Sequence, residues 1–473
     1  MANPDGTFKV LVADWMALLP GADGKPDPSP FRDYVTSAGG RLHLGSCARV
    51  QDLERDRVHF FYRPELSREE ELLADAADGR YDAVIAAATI IPPGACFARG
   101  GVRIGAGTGN MLSHSWGGRD GRGGEAPLMN TPGVNSRATA QMVMKAVLQR
   151  RPDLPFATLH DLVIHGRFDT GRDLYGWSTA KLEGQAMAVL GYGNIGREVA
   201  RLAASFGMTV RVHARPSHRD WIESEGFTFA ASSVDAARGA DVLSVHLGLG
   251  PIDPSRGRPA NAGFIGAAIL DELADGATVV NFDRGEVVDV DALDRAMHCG
   301  TVAHVAVDAD IFLDETGAAA LGPLTPYLPL ATRYPERVLL LPHAVADTDH
   351  PSRVAGAKIA VDLILDVLRE RRVRNLVGDL PAGYVDAGTI RCQDVGAVRP
   401  NNLRVLCDDQ SALRELAAHA RTVAEFYDAL AGTKPTDTQR LLDGEEPARA
   451  VAASNRLTAG LRRHGLLGPY RPV

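Results

Sequence analysis

Between Ala186 and Arg215 the chain reads AMAVLGYGNIGREVARLAASFGMTVRVHAR. The apolar run 186–190 leads into Gly191-Tyr192-Gly193-Asn194-Ile195-Gly196. Val199, Ala200, Leu202 and Ala203 then fall on one face of a helix, and 209–212 forms a second strand candidate. A strand, a G-x-G-x-x-G turn and a helix, in that order, make a dinucleotide phosphate site. The first glycine permits the tight turn, the second lets backbone approach a pyrophosphate, and the third allows close helix–strand packing. The helix start adds unpaired N–H groups and the positive end of its dipole. Gly191, Gly193, Asn194, Ile195 and Gly196 are therefore the expected cofactor contacts. About twenty residues further on, an NAD site usually presents a carboxylate to the ribose 2′-OH. Here the strand ends His213-Ala214-Arg215. Nothing there repels a 2′-phosphate, and Arg215, with His213 beside it, can bind one through charge-assisted hydrogen bonds. The expected cofactor is NADP(H), with NAD(H) as the alternative.

Reversible reduction of a 2-keto acid needs a cation that holds the carboxylate and polarises the carbonyl. It also needs a proton donor at the carbonyl oxygen and a group that tunes that donor. Three segments carry such residues. Arg284 follows an apolar strand and precedes Gly285 in ATVVNFDRGEVVDVDAL; VAHVAVDADIFLDE is strand-like and ends acidic; His343 follows a strand and Pro342 in VLLLPHAVA.

With these segments in view, the chain resembles the D-isomer-specific 2-hydroxyacid dehydrogenase family. The resemblance rests on Asn130-Thr-Pro-Gly133, GYGNIGREVA, ADVLSVHLGL, the N-x-x-R-G segment around Arg284, a D-x-F-x-x-E-like segment and Pro342-His343, all in family order. It implies a catalytic set of Arg284, Glu315 and His343. Arg284 would bind the substrate carboxylate and carbonyl, His343 would donate the proton, and Glu315 would orient the imidazole and raise its pKa. Two residues are inserted in this stretch, so Asp314 stays a rival to Glu315. Either Asp308 or Asp310 would contact the nicotinamide carboxamide, and His246, in ADVLSVHLGL, would lie on the cofactor side. The substrate loop corresponds to GAGTGN, 105–110, where the N–H groups of Ala106 and Gly107 would cradle the carboxylate. The family strand that often ends V-R-S here ends Ala86-Ala87-Ala88. Without that arginine a phosphorylated substrate is disfavoured. The implied reaction is D-stereospecific hydride transfer between the cofactor and a small 2-keto or 2-hydroxy acid. Two alternatives stand beside it: a dehydrogenase of a phosphonate or phosphite, and a non-catalytic dinucleotide sensor like the co-repressors among the relatives.

The elements that must position these residues alternate strand and helix, which predicts parallel sheets covered on both faces. Strand candidates lie at 8–13, 41–44, 81–88 and 102–105, and a helix candidate over 67–77 has Ser67 as its cap. The Gly-rich stretch 114–126 reads as an exposed loop from which His114, Trp116 or Arg119 could reach a pocket. A long helix after Pro132-Gly133 reads as a connector. The expected architecture is α/β, with two Rossmann-like domains. The first is a flavodoxin-like substrate domain from 1–136 and 340–378, and the second is an NAD(P)-binding Rossmann domain over 137–339. A mostly helical extension, 379–473, completes the chain. Its stripe of Leu413, Leu416, Ala420, Val423, Phe426, Tyr427 and Leu430 predicts one helix, and 447–463, ending at Gly465, a second.

Composition narrows the classes. At 473 residues, about three domains are expected. Acidic residues outnumber basic ones 59 to 51, a net charge of −8, which argues against nucleic acid or anionic membrane as a partner. Five scattered cysteines without metal spacing suit a reducing cytoplasm and no bound metal. No apolar run reaches the length of a membrane span. The resemblance further implies a homodimer.

Overall fold

A computed structural model describes residues 6–466 except 16–18, 20–23, 25–26, 67, 150–154, 178, 251, 314–319, 344–348, 390–399, 435–437 and 465. The chain divides into two compact units, Met1–Asn135 with His350–Val473, and Ser136–Asp349. The second unit thus takes in 340–349, which the sequence reading gives to the substrate domain. The reason is strand pairing: Val338–Pro342 is the edge strand of the second sheet.

The first unit is built on strands β1 (Phe8–Val12), β2 (Gly40–Leu44), β3 (Val58–Tyr62), β4 (Ala83–Ala86), β5 (Gly100–Arg103) and β6 (Leu128–Asn130). They run parallel in the order β2-β3-β1-β4-β5-β6, and Leu376–Val377 closes the sheet antiparallel to β6. β4 and β3 are buried along their whole length, as expected of strands covered on both faces. One face packs against the helix His350–Glu370, whose buried Ala357, Ala360, Val361 and Ile364 join Val10, Phe60 and Ile85 in one core.

Two features of this unit differ from expectation. β3, VHFFY, goes unanticipated because the charged stretch DLERDR before it hides a short buried run. The 114–126 stretch is an exposed loop only in part. Trp116 is fully buried, stacks on Phe97 and donates through Nε1 to the Met111 carbonyl at 3.1 Å. The glycines let the chain fold tightly around that indole: Gly117 has φ +78°, and a Cβ there would strike the Arg122 carbonyl. His114 and Arg119 do stay exposed.

In the second unit seven strands are all parallel: β7 (Ala186–Leu190), β8 (Thr209–His213), β9 (Thr228–Ala230), β10 (Val242–Val245), β11 (Ala277–Asn281), β12 (Val302–Ala309) and β13 (Val338–Pro342). Their order, β9-β8-β7-β10-β11-β12-β13, is that of a doubly wound dinucleotide fold with one added strand. The connector helix, Ser136–Gln149, buries Ala140, Val143, Ala146 and Val147. The C-terminal extension is helical: a short helix, Pro400–Asp408, precedes Gln410–Gly432, and another, Thr438–Leu442, lies between it and Glu446–Arg463. Ser67 and Gly465, the expected cap and stop, lie outside the described residues. Among the described residues no helix is long and apolar enough to cross a membrane, and no group of His, Cys, Asp and Glu is arranged to hold a metal ion.

Candidate active site

The glycine turn joins β7 to the helix Asn194–Ser205 at the carboxyl edge of the second sheet, and each glycine has a distinct reason to be there. Gly191 has φ +98°, and a Cβ on it would lie 2.1 Å from the His246 carbonyl oxygen. A Cβ on Gly196 would lie 2.1 Å from the Gly191 carbonyl oxygen. Beside Gly193 there is open space: no atom comes within 4 Å of where its Cβ would be. The helix N-terminus has no side-chain cap, and the buried Oδ1 of Asn194 has no hydrogen-bond partner. A cradle closed on two sides and open at the middle glycine, with unsatisfied backbone N–H groups facing it, fits a dinucleotide pyrophosphate. Beneath the turn, Glu225 accepts hydrogen bonds from the Tyr192 hydroxyl at 2.6 Å and from Arg197 Nε at 2.8 Å. Arg197 is almost fully buried, so this ion pair braces the turn from inside.

At the carboxyl end of β8, His213 closes the strand and its Nδ1 lies 3.1 Å from the Ala230 carbonyl. Arg215 follows, with Nη2 3.3 Å from His218 Nε2. His246 follows β10 beside the glycine turn, with Nε2 2.8 Å from Ser244 Oγ. Burial pushes its pKa down to about 3, so the ring is neutral and uncharged toward whatever occupies the turn.

Three further residues gather where β11, β12 and β13 end side by side. Arg284 lies three residues past β11, and Asn281 fixes that bend by donating from Nδ2 to the Arg284 carbonyl at 2.9 Å. Gly285 comes next, and a Cβ on it would press on Ala309 at 2.9 Å. Tyr327 donates to the Gly285 carbonyl at 2.6 Å from the opposite side. Asp308 is the penultimate residue of β12, paired in register with Leu341 of β13. His343 comes just after β13, its N–H bonded to the Ala309 carbonyl at 3.0 Å. Asp308 accepts from His343 Nδ1 at 2.6 Å, while Arg284 Nη1 stands 3.4 Å from His343 Nε2. The hydrogen bond to Asp308 raises the imidazole pKa; burial and Arg284 work against it without reversing the sign. Asp283 lies in the same cluster, its carboxyl pushed up by burial against the pull of Arg284 and His343.

The structure therefore brings Arg284 and His343 together and gives His343 a carboxylate partner. That partner is Asp308, a residue expected instead at the nicotinamide. Glu315 and Asp314, the expected partners, lie outside the described residues. Asp310 is described just beyond β12, its carbonyl accepting from the Leu324 N–H, and its charge also raises the His343 pKa. The Asp308 contact depends on the alignment of two parallel strands and leaves no local mark in sequence. Asp283 and the Tyr192–Glu225–Arg197 brace were missed for the same reason.

In the first unit, Gly105 (φ +113°) opens the loop after β5, its N–H donating to Thr131 Oγ1 at 2.8 Å. Asn130 holds the Ala106 carbonyl through Nδ2 at 2.7 Å. Ala106 and Gly107 are exposed.

Comparison with known proteins gives one family model, "D-isomer specific 2-hydroxyacid dehydrogenase, NAD binding domain", matching residues 156–345. A glyoxylate reductase of Aeropyrum pernix is 32% identical over 253 residues, covering 53% of this chain and 69% of that protein. A D-3-phosphoglycerate dehydrogenase of Methanocaldococcus jannaschii is 24% identical, over 66% of this chain; the chain spans 52% of that relative's length. Among solved structures, a glyoxylate reductase from Paecilomyes thermophila superposes with a TM-score of 0.53 at 20% identity, covering 78% of this chain and 98% of that one. An NADPH-dependent glyoxylate/hydroxypyruvate reductase from Sinorhizobium meliloti gives 0.51 at 20% identity, covering 80% and 99%. At such identities the two structures speak for the fold alone.

Proposed function

This chain belongs to the D-isomer-specific 2-hydroxyacid dehydrogenase family, and from that premise we propose that it is an NADPH-preferring reductase of a small 2-keto acid, acting reversibly on the D-2-hydroxy acid. The observation that carries this reading is the Arg284, His343, Asp308 cluster at the same carboxyl edge of one parallel sheet as the open glycine turn. Ligands of such sheets bind along that edge.

Bound at the turn, the nicotinamide cofactor supplies or receives the hydride. The chain's own residues do the rest. Arg284 offers a guanidinium to the substrate carboxylate and the carbonyl oxygen, stabilising the charge that develops there. Asp308 accepts from Nδ1–H and so fixes the tautomer, leaving Nε2 to face the carbonyl oxygen. The hydrogen bond to Asp308 raises the His343 pKa and so favours the protonated ring, which would donate from Nε2 during reduction. In the oxidative direction the neutral ring takes the hydroxyl proton back. On the first unit, the N–H groups of Ala106 and Gly107 are the proposed donors to a carboxylate. Asp310 is left for the carboxamide of the nicotinamide, and we take the working form to be a homodimer.

NADPH preference rests on Arg215 at the end of β8, where no carboxylate competes for a ribose 2′-phosphate. Initial rates over a panel of 2-keto acids, with NADPH and NADH compared, test the reading. Arg215→Ala is expected to raise the KM for NADPH at least about tenfold, as loss of a charged hydrogen bond does, while leaving that for NADH within about twofold. Equal changes for both cofactors contradict the assignment.

A further inference from the structure

Two buried side chains converge on the loop that carries Arg284. Arg284 leaves β11 in extended backbone, φ −123° and ψ 124°, and Gly285–Val287 then makes a single helical turn. Both carbonyls that open this turn take two donors. The Arg284 carbonyl accepts the Val287 N–H at 3.1 Å and Asn281 Nδ2 at 2.9 Å. The Gly285 carbonyl accepts the Val288 N–H at 3.3 Å and the Tyr327 hydroxyl at 2.6 Å. In each case the second donor belongs to a side chain with 0% exposure. Burying a polar side chain is unfavourable unless its hydrogen bond is made, so both are committed to this loop. Burial pushes the Tyr327 hydroxyl pKa up, which keeps it a donor.

Tyr327 comes from a different part of the chain. It ends the turn Thr325–Tyr327, beyond β12, and its N–H bonds the Leu324 carbonyl at 3.0 Å. The Leu324 N–H bonds the Asp310 carbonyl at 3.1 Å, two residues from Asp308. Gly285 packs against the same stretch: a Cβ on it would lie 2.9 Å from Ala309 Cβ and 3.0 Å from the Pro323 carbonyl oxygen. The Ala309 carbonyl in turn takes the His343 N–H at 3.0 Å. Tyr327 therefore ties the loop after β11 to the strand ends that carry Asp308 and His343.

Arg284 Nη1 stands 3.4 Å from His343 Nε2. With the ring protonated, both are donors and cannot bond each other. Donors so placed can share one acceptor oxygen, as a reacting carbonyl requires. A long side chain keeps that spacing only if the backbone beneath it is fixed. We propose that Tyr327 is a positioning residue for Arg284: through the Gly285 carbonyl it holds the guanidinium where it and His343 address the same substrate oxygen. The proposal rests on the 2-keto acid reductase reading and adds a residue to that site.

Tyr327→Phe keeps the buried ring and removes only the hydroxyl. With NADPH, kcat/KM for glyoxylate should fall about tenfold or more, as misplacing a substrate-binding group does, while the Kd for NADPH stays within about twofold. The Arg284 charge pulls against the raised His343 pKa, and Asp283, Asp308 and Asp310 are unchanged in the variant. A guanidinium that drifts away should therefore let the descending limb of kcat/KM move to higher pH. In the Arg284→Lys background, where the rigid fork is gone, adding Tyr327→Phe should change kcat/KM by less than about twofold. Gly285→Ala must shift the same loop off Ala309 and should reproduce the loss, which keeps the proposal testable if Tyr327→Phe does not fold. Wild-type kinetics in whichever variant folds, or an equal loss in both backgrounds with an unmoved limb, overturns the proposal. If the wild type reduces no 2-keto acid, the reductase reading fails instead. Calorimetric titration of oxalate into the NADPH complex then decides the role of Tyr327: affinity about tenfold weaker in Tyr327→Phe supports it, and equal affinity overturns it.

Discussion

At the scale of single residues, the chemistry depends on what His343 touches. Its Nδ1 is committed to Asp308 and its Nε2 is left toward Arg284, so one ring nitrogen is structural and the other is free to act. Because Asp308 raises the imidazole pKa, reduction should stay fast through the ordinary imidazole range and fall only as pH rises through the raised value. Asp308→Asn removes the principal cause of the shift. The descending limb of kcat/KM for reduction should then move to lower pH, and kcat should fall by roughly two orders of magnitude as the tautomer is lost. A limb that stays in place separates Asp308 from the imidazole. The sign for stability is the same. The ion pair contributes fully below the unfolded imidazole pKa and its contribution is lost as pH rises through the folded value. Arg284 and His343 are legible in sequence because each follows an apolar strand within three residues and sits beside Gly285 or Pro342. Their partner is not, because the Asp308 contact exists only through the register of β12 against β13.

At the scale of elements, the glycine turn was legible because its constraint is local: strand, turn and helix are contiguous. What the structure adds is the tolerance at each position. A methyl at Gly193 meets open space, whereas one at Gly196 meets the Gly191 carbonyl oxygen at 2.1 Å. Gly196→Ala must therefore push the helix start away from β7, at a cost of about 1–3 kcal/mol in packing. Fluorescence titration should show NADPH affinity weakened by about tenfold or more, with the 2-keto acid KM moved far less. Unchanged cofactor affinity would mean that the turn is not the pyrophosphate cradle. The 114–126 stretch teaches the opposite lesson. Glycine count suggested exposure, but these glycines serve to wrap the chain around a fully buried Trp116. Composition alone cannot distinguish a loop that hangs free from one that folds over a large side chain.

At the scale of the molecule, alternation of strand and helix identified two parallel sheets, although β3 was lost among charged neighbours. Topology then explains where the candidate residues stand: in both sheets they follow strand carboxyl ends. The C-terminal extension answers to a different logic. Its helices Gln410–Gly432 and Glu446–Arg463 pack on each other, with Gly460 set against Leu416, yet the first of them has no fully buried residue and Tyr427 is 60% exposed. We propose that this half-covered stripe is completed by packing elsewhere in the assembly. A chain ending at residue 379 should accordingly show a lower Tm or a smaller oligomer by sedimentation; unchanged Tm, size and kinetics would leave the extension without that role. The central claim, that this is a nicotinamide-dependent 2-keto acid reductase with His343 as proton donor, has a more direct test. NADPH consumption with glyoxylate and hydroxypyruvate should be measured for the wild type and for His343→Ala, alongside the Kd for NADPH of each. Robust turnover is expected of the wild type, with a loss of at least about a thousandfold in kcat for the variant and a Kd for NADPH within about threefold. A variant with near-normal kcat, or a wild type that binds NADPH but reduces neither acid nor any other 2-keto acid, would contradict it.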